Sequence, residues 1–317
     1  MAQNHRKLRN RSPSRQAKKS TDHLLSEDAS DHSEKTKSGS SKNALLSYNE
    51  VPEWMREIHI LNHYLPVTNS TITCLKNIFK MHMQTVNIWT HLIPSLLFIY
   101  EIWQLNLIPD YYFTEPNLEK MLLLISKISG MFGFTVSWVY HSHANHENLW
   151  ATCLTADISG IAVMITGCAV SWLYYFFFCF KTLRRIYMSV CSILGLIFVI
   201  CNTLKIFQNR RTLNSCVLTA LGLSNVVPLC HLLFINDGFY DNWVNWHWKE
   251  LFGVLGCLLT GTVIYIFRFP ESLSPGSFDL AFNSHNLFHI CVVMAAYCHM
   301  VGLEGLQGDR FERGNVC

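Results

Sequence analysis

Residues 283–293, NSHNLFHICVV, place His285 and His289 four positions apart in an otherwise apolar run. Residues at positions i and i+4 of an α-helix lie on one face, so the two imidazoles point the same way. The apolar run is long enough to cross a bilayer, where ionisable side chains are rare and usually functional. The stretch therefore predicts a membrane-spanning helix that carries a two-histidine site near its start.

The same apolar character recurs along most of the chain. Half of the 317 residues are hydrophobic and 15% are charged, which is far more apolar than a typical soluble domain. A bilayer-spanning helix needs about 20 mostly apolar residues. Seven runs meet this requirement, at residues 87–107, 121–142, 153–178, 185–206, 214–235, 250–268 and 285–304. The predicted fold is all-α: a seven-transmembrane helix bundle in one domain.

A polar segment precedes the bundle. Residues 1–43 are rich in Ser, Lys and Arg and cannot bury enough apolar surface to fold, so we expect a disordered cytosolic tail. A juxtamembrane segment follows at 44–86, the transmembrane domain covers 87–305, and a short C-terminal tail covers 306–317. The tryptophan-rich stretch 241–249 suits the headgroup level of the membrane.

Basic residues indicate the orientation. Thirteen of the 25 Lys and Arg residues precede Asn87, which by the positive-inside rule favours a cytosolic N-terminus. The Lys and Arg residues of the short loops weakly favour the opposite orientation, but the first helix usually sets the orientation. We therefore expect the C-terminus to be extracellular or lumenal. The expected location is the plasma membrane, with the Golgi or another endomembrane as the alternative.

Successive spans cross the membrane in alternating directions, and this alternation (helix parity) brings further polar residues to the histidine end of the bundle. The end of the second span, the start of the third and the start of the seventh all emerge on one side of the membrane, whichever side that is. His141 closes the second span, Asp157 opens the third, and Ser137 lies one turn before His141 on the same face. Together with His285 and His289, these residues predict a three-histidine metal site with a carboxylate and a hydroxyl beside it.

Three histidines with water in the fourth position are a common ligand set of catalytic zinc. Zinc is the expected cofactor, although ligand type alone leaves nickel, copper and iron open. With an open fourth position, the zinc lowers the pKa of its water to about 7. Asp157 is then the general base or orients the water or a histidine, and Ser137 hydrogen-bonds the water or a substrate carbonyl. With a closed fourth position, the ion is structural.

Five motifs occur in a specific order. They are MHMQTVNIWTHLIP (81–94), SWVYHSH (137–143), ADISGI (156–161), RFPESLSPGSFDL (268–280) and SHNLFH (284–289). In this order they resemble the progestin and adipoQ receptor family, the seven-helix group that includes the adiponectin receptors and the membrane progestin receptors. The resemblance covers roughly residues 50–305 and leaves open which of the two branches the chain is nearer.

The resemblance implies a topology opposite to that of G-protein-coupled receptors, with the N-terminus in the cytosol. It also implies zinc held by His141, His285 and His289, with Asp157 and Ser137 nearby, close to the cytosolic side. The family is similar in arrangement to alkaline ceramidases, which implies hydrolysis of a ceramide-like lipid amide by zinc-activated water. The expected partners are a ceramide-like lipid or free fatty acid, an extracellular protein or a steroid as ligand, and a second copy of the chain in a homodimer. No nucleic-acid partner is expected. The alternative is a non-catalytic signalling receptor or scaffold with structural zinc.

The chain departs from the family pattern just before NIWTHL. The family commonly has Asn-Glu-Thr there, whereas residues 83–85 of this chain are Met, Gln and Thr, which removes a carboxylate. Other polar residues in the spans have ordinary interpretations. We expect His91 to hydrogen-bond at the start of its helix, and Lys127 and Glu101 to snorkel or to form an ion pair.

Overall fold

The computed structural model describes residues 44–206, 211–235 and 247–314. All of these residues belong to one compact unit. The expected disordered tail at 1–43 lies outside the described residues, as do Trp243 and Trp246 of the tryptophan-rich stretch.

The described residues contain α-helices and short 3₁₀ turns, and no strand occurs among them. The α-helices are α1 (Thr71–Asn77), α2 (Thr85–Leu107), α3 (Pro116–Ser142), α4 (Trp150–Phe176), α5 (Lys181–Thr203), α6 (Arg211–Leu223), α7 (Val226–Ile235), α8 (Trp248–Phe267) and α9 (Ser284–Arg313).

Among the described residues, six helical stretches are long and apolar enough to cross a membrane: α3, α4, α5, α6 with α7, α8 and α9. α2 is the seventh by length, because its 23 residues extend about 35 Å and the hydrocarbon core measures about 30 Å. α2 is less apolar because one of its faces carries Asn87, His91 and Ser95, which are buried in the bundle, whereas Leu96 and Trp103 are exposed. The predicted all-α seven-transmembrane fold of an integral membrane protein is confirmed.

Small residues let α3 approach α4 closely. A Cβ atom at Gly160 would lie 2.4 Å from Cγ2 of Val136, and one at Gly133 would lie 3.1 Å from the carbonyl oxygen of Gly160. Contacts between small residues are the usual route to close packing of transmembrane helices. Gly160 follows Asp157 by about one turn and Gly133 precedes Ser137 by about one turn. The close contact therefore brings Asp157 and Ser137 to the same interface.

The juxtamembrane segment is fixed to two loops at the histidine end of the bundle. In the loop between α8 and α9, the Asp279 carboxylate accepts from the backbone N–H groups of Leu61 at 3.0 Å and Asn62 at 2.8 Å. The backbone N–H of Thr68 donates to the carbonyl of Asn145, between α3 and α4, at 3.0 Å. The segment thus forms an ordered cap over the end of α3 and the start of α9.

The predicted span 214–235 is interrupted in the structure, because α6 ends at Leu223 and α7 begins at Val226. The amide of Asn225 donates to the carbonyl of Leu221 at 3.2 Å, and such side-chain bonds compete with helix propagation. Pro228 then falls in the first turn of α7, where its missing N–H is not needed. The two pieces together still form one span by length and hydropathy.

α9 is longer than the sequence predicts. Its predicted span ends at 304 and a tail begins at 306, whereas the helix continues to Arg313. Leu306 is fully buried, and the guanidinium carbon of Arg310 lies 3.0 Å from the centroid of the Phe178 ring. The helix continues because the residues after 304 still pack against the bundle.

Candidate metal centre

Three histidines from two helices lie close together inside the bundle. His141, His285 and His289 each offer a ring nitrogen, and the three nitrogens lie within 4.8 Å of one another. The ring centroid of His141 lies 4.9 Å from that of His285 and 4.8 Å from that of His289. His141 and His289 are each only 2% exposed. The structure thus brings the three histidines together, and the cluster could hold a metal ion.

Capping interactions fix where α9 begins. The side chain of Asn283 accepts from the backbone N–H of Asn286 at 3.0 Å. The Glu271 carboxylate accepts from the backbone N–H of Ser284 at 2.7 Å and also from its hydroxyl. Acidic and amide side chains at this position satisfy the first N–H groups of a helix, which have no partner within it. The first turn is therefore well defined, and His285 lies in it.

Hydrogen bonds orient two of the three rings. Oε1 of Gln84 lies 2.8 Å from Nδ1 of His141, and because an amide oxygen only accepts, Nδ1 carries the proton. The Thr90 hydroxyl donates to the carbonyl of Val86 at 2.8 Å, so its oxygen accepts from Nδ1 of His289 at 3.2 Å. Each ring therefore keeps a free lone pair on Nε2. Nε2 of His141 is buried and has no hydrogen-bond partner among the described residues.

Ser137 and Asp157 are connected to the cluster through a fourth histidine. The Asp157 carboxyl is a neighbour of the Ser137 hydroxyl, and that hydroxyl is 2.8 Å from Nδ1 of His91. The His91 ring stacks on His289 with centroids 3.7 Å apart. The two residues singled out from the sequence are thus neighbours of each other and of a ring that touches the cluster.

A row of three amides lies behind His141 and is not apparent from the sequence motifs. Asn286 donates to Asn87 at 2.6 Å, and Asn87 donates to Gln84 at 2.7 Å. The sequence analysis noted the Gln84 position only as a departure from the family. Asn87 is three positions after Gln84 and Asn286 directly follows a histidine, but only the packing of α2 against α3 and α9 brings the three amides together.

A cleft adjoins the cluster on the juxtamembrane side. Its lining includes Gln84 and His141, together with residues of the juxtamembrane segment, the end of α3 and the start of α4. Trp54 from the segment stacks on Trp150 of α4, with ring centroids 5.1 Å apart and planes 12° from parallel. Glu57 adds a carboxyl to the lining. The cleft therefore borders the His141 side of the cluster.

A second polar cluster lies farther along the bundle. Nζ of Lys127 is 2.9 Å from the carboxylate of Glu101 and 3.7 Å from that of Glu304. Nε2 of His299 is 2.9 Å from the Ser126 hydroxyl. His299 follows the last histidine of the metal cluster by ten residues, about 15 Å along the helix. The expected ion pair between Lys127 and Glu101 is confirmed, and it is separate from the metal cluster.

A comparison with known protein families shows what the chain is related to. Residues 79–300 match the family described as Haemolysin-III related, and this range includes all three clustered histidines. The chain belongs to the Haemolysin-III related family.

Individual members of this family carry names that agree with the motifs. The chain is 30% identical over 282 residues to "Progestin and adipoQ receptor-like protein 1" of Caenorhabditis elegans, covering 85% of this chain and 62% of the relative. It is 32% identical over 268 residues to "Adiponectin receptor protein" of Drosophila melanogaster, covering 81% of this chain and 58% of the relative. The chain thus spans about three fifths of the length of these two family members.

A plant relative has a name that describes a seven-helix membrane fold. The chain is 28% identical over 264 residues to "Heptahelical transmembrane protein 1" of Arabidopsis thaliana, covering 80% of this chain and 79% of the relative. That name agrees with the helix count of the described bundle. The resemblance to the progestin and adipoQ receptor family is therefore confirmed, as is the multi-pass membrane fold.

Proposed function

We propose that this chain is an integral membrane receptor of the adiponectin and progestin receptor kind that holds zinc at His141, His285 and His289 and hydrolyses a ceramide-like lipid amide. The observation that carries the proposal is the set of three ring nitrogens within 4.8 Å of one another. Ser137 and its neighbour Asp157 are connected to this set through His91, and we assign to them the handling of protons and hydrogen bonds.

The donor set fits zinc. Two of the rings are held by a hydrogen bond at Nδ1, to Gln84 and Thr90, and this arrangement is typical of metal-ligating histidines. Three imidazoles leave the fourth tetrahedral position for water or substrate. At these three histidines zinc would supply a nucleophile at neutral pH, because it would lower the pKa of a bound water to about 7.

Asp157 serves as the general base. Its side chain is buried in the bundle, next to the Ser137 hydroxyl. The carboxylate takes a proton from the attacking water and returns it to the departing amine nitrogen. The amide C–N bond breaks, the water oxygen is added to the acyl carbon, and the products are a free fatty acid and a sphingoid base.

The location of the cluster supports a lipid as the substrate. The histidines lie in helices that are apolar enough to span a membrane, so a lipid of the bilayer is in contact with the same helices. The cleft beside Gln84 and His141 borders the cluster on its juxtamembrane side. A lipid amide has both an apolar chain and a polar reacting group, and so matches both surroundings.

The second candidate function is a signalling receptor or scaffold in which zinc is structural. His141 belongs to α3, whereas His285 and His289 belong to α9. A shared ion would therefore cross-link two helices that are distant in sequence. In this case an extracellular protein or a steroid, or a second copy of the chain in a homodimer, acts by changing the packing of the linked helices.

Metal content tests the proposal first. We expect about one zinc per chain in detergent-purified wild type, and loss of that zinc in His141→Ala and His285→Ala. His299→Gln is the matched control because it alters a buried histidine of α9 outside the cluster, and it retains the zinc. Release of fatty acid from ceramide then distinguishes the two candidates, since only the catalytic one predicts it. Folded wild type without metal would contradict both.

Orientation is part of the proposal. We place the N-terminus in the cytosol and the C-terminus outside the cell or in a lumen, with the plasma membrane as the main location. An epitope tag at the N-terminus is then detected only after permeabilisation of cells, whereas a C-terminal tag is detected on intact cells. The sequon at Asn69, on the cytosolic side in this orientation, carries no glycan. The opposite pattern of tag exposure would reverse the topology.

A further inference from the structure

We infer that Gln84 is a positioning residue for the metal centre, because with Asn87 and Asn286 it forms a chain of amides that keeps the proton of His141 on Nδ1. The inference rests on the proposed metal site and adds three residues to it. None of the three is a metal ligand, and their effect passes through the ring of His141.

The chain crosses three helical elements. Nδ2 of Asn286, in the first turn of α9, donates to Oδ1 of Asn87 at 2.6 Å. Nδ2 of Asn87, in the first turn of α2, donates to Oε1 of Gln84 at 2.7 Å. The same Oε1 lies 2.8 Å from Nδ1 of His141, near the end of α3. Asn87 and Asn286 are 3% and 0% exposed, so water does not compete for these bonds.

The direction of the chain determines the tautomer of His141. Oε1 of Gln84 has only lone pairs to offer, so Nδ1 of the imidazole donates and Nε2 keeps its lone pair. If all three amides were turned over together, Gln84 would present an N–H group to Nδ1. The ring proton would then sit on Nε2 and block metal binding there. The observed direction of the amides therefore keeps Nε2 free for a metal, and a metal bound at Nε2 would in turn favour this direction.

The surroundings of Nε2 agree with this assignment, and the position of Asn286 is fixed by its backbone. Nε2 of His141 is buried without a hydrogen-bond partner in the part of the chain that the structure describes, as expected for an atom that binds an ion. The backbone N–H of Asn286 is held by Oδ1 of Asn283 at 3.0 Å, which fixes the residue where the chain of amides begins. The same turn of α9 carries His285, so the chain joins the start of α9 to the ligand on α3.

Matched variants at position 84 distinguish the effect of the hydrogen-bond acceptor from the effect of side-chain shape. Gln84→Met keeps the approximate length but removes the acceptor, whereas Gln84→Glu keeps an acceptor oxygen. Gln104→Met makes the same change elsewhere on α2 and is the control. The readouts are zinc affinity by competition with a chelator and the electronic spectrum of the Co²⁺-loaded protein, neither of which depends on turnover.

We expect zinc affinity to fall about 10- to 100-fold in Gln84→Met, with an altered Co²⁺ spectrum. Gln84→Glu binds at least as tightly as wild type, because a carboxylate is the stronger acceptor, and Gln104→Met is unchanged. Equal loss in Gln84→Met and Gln84→Glu would overturn the inference, because it would show that shape matters and the acceptor does not. Unchanged affinity in Gln84→Met would also overturn it.

If Gln84→Met does not fold, Asn87→Leu tests the chain at its middle. Lower zinc affinity in folded Asn87→Leu supports the inference, and affinity equal to that of wild type overturns it. Wild type that binds no metal would refute the proposed function itself and the inference with it. Wild type that binds zinc with an affinity that Gln84→Met leaves unchanged would refute the inference alone.

Discussion

The imidazole of His91 stacks on that of His289, with ring centroids 3.7 Å apart and planes 8° from parallel. The same ring is 2.8 Å from the Ser137 hydroxyl through Nδ1. His91 therefore connects a proposed metal ligand to the pair formed by Ser137 and Asp157. The hydrogen bond expected from the sequence exists, but it reaches across to α3 and does not serve the start of the helix.

His91→Phe separates the two contacts of this ring. A phenyl ring can keep the stack on His289, whereas the hydrogen bond to Ser137 is lost. We expect zinc to be retained and ceramide turnover to fall by about 10- to 100-fold, as for other groups that orient a site without reacting. Elemental analysis and a fatty-acid release assay on the same preparation measure both. Loss of zinc in this variant would mean that His91 itself binds the ion.

Asp157→Asn tests the general base. The amide has nearly the same shape as the carboxyl and can still hydrogen-bond to Ser137, but it cannot take a proton. We expect turnover to fall by about 10²- to 10⁴-fold, with zinc content and thermal stability close to those of wild type. Asp110→Asn, an exposed carboxylate on the segment between α2 and α3, is the control. Wild-type turnover in Asp157→Asn would exclude the proposed role.

Much of the bundle could be predicted because the bilayer imposes a length and an apolar composition on each span. The meeting of His141 with His285 and His289 also followed from the sequence, since helix parity and the i, i+4 spacing need no knowledge of packing. α2 illustrates the limit of hydropathy. Its polar residues, among them Asn87 and His91, face inward and lower its apolar character, although it is long enough to span.

The amide chain behind His141 could not be predicted from the sequence. Gln84 and Asn87 are near each other in sequence, but their partners are His141 and Asn286, which only the packing of α2 against α3 and α9 brings within reach. The extension of α9 to Arg313 was missed for the same reason. Its last turns are too polar to count as a span, and only tertiary contacts show that one face is buried.

The buried Lys127 predicts an asymmetric response to mutation. Its side chain is 5% exposed, whereas that of Glu101 is 38% exposed, so removing the carboxylate leaves a buried charge with only the longer contact to Glu304. We expect Glu101→Leu to destabilise the protein by up to about 3 kcal/mol. Glu304→Leu, which removes the 3.7 Å contact, costs less.

The double variant Lys127→Leu with Glu101→Leu provides the control for this effect. Because it removes both charges, it recovers most of the stability that Glu101→Leu loses. Apparent melting temperatures in one detergent measure the three variants against wild type. A double variant less stable than Glu101→Leu would show that the apolar stem or amine of Lys127 makes other contacts that matter more than the pair.

His82 lies between α1 and α2, outside the spans, and is held in its neutral form. Its side chain is buried, with Nε2 donating to the carbonyl of Asn77 at 3.1 Å and Nδ1 accepting from the backbone N–H of Gln84 at 3.2 Å. Burial lowers the pKa of His82 to about 4, and the bond to Asn77 offsets only part of this. Protonation would place a second N–H against Gln84.

Acidification is therefore expected to weaken the fold through His82. In the unfolded chain a histidine takes up a proton near pH 6.5, whereas in the folded protein His82 does so only near pH 4. The contribution to stability is complete above about pH 6.5 and falls as the pH drops to about 4, by on the order of 3 kcal/mol in total. Apparent melting temperatures of wild type and His82→Gln, measured from about pH 7.5 to about pH 4.5, isolate this effect because all other groups are shared. We expect a steeper loss in wild type, and parallel curves would contradict the assignment.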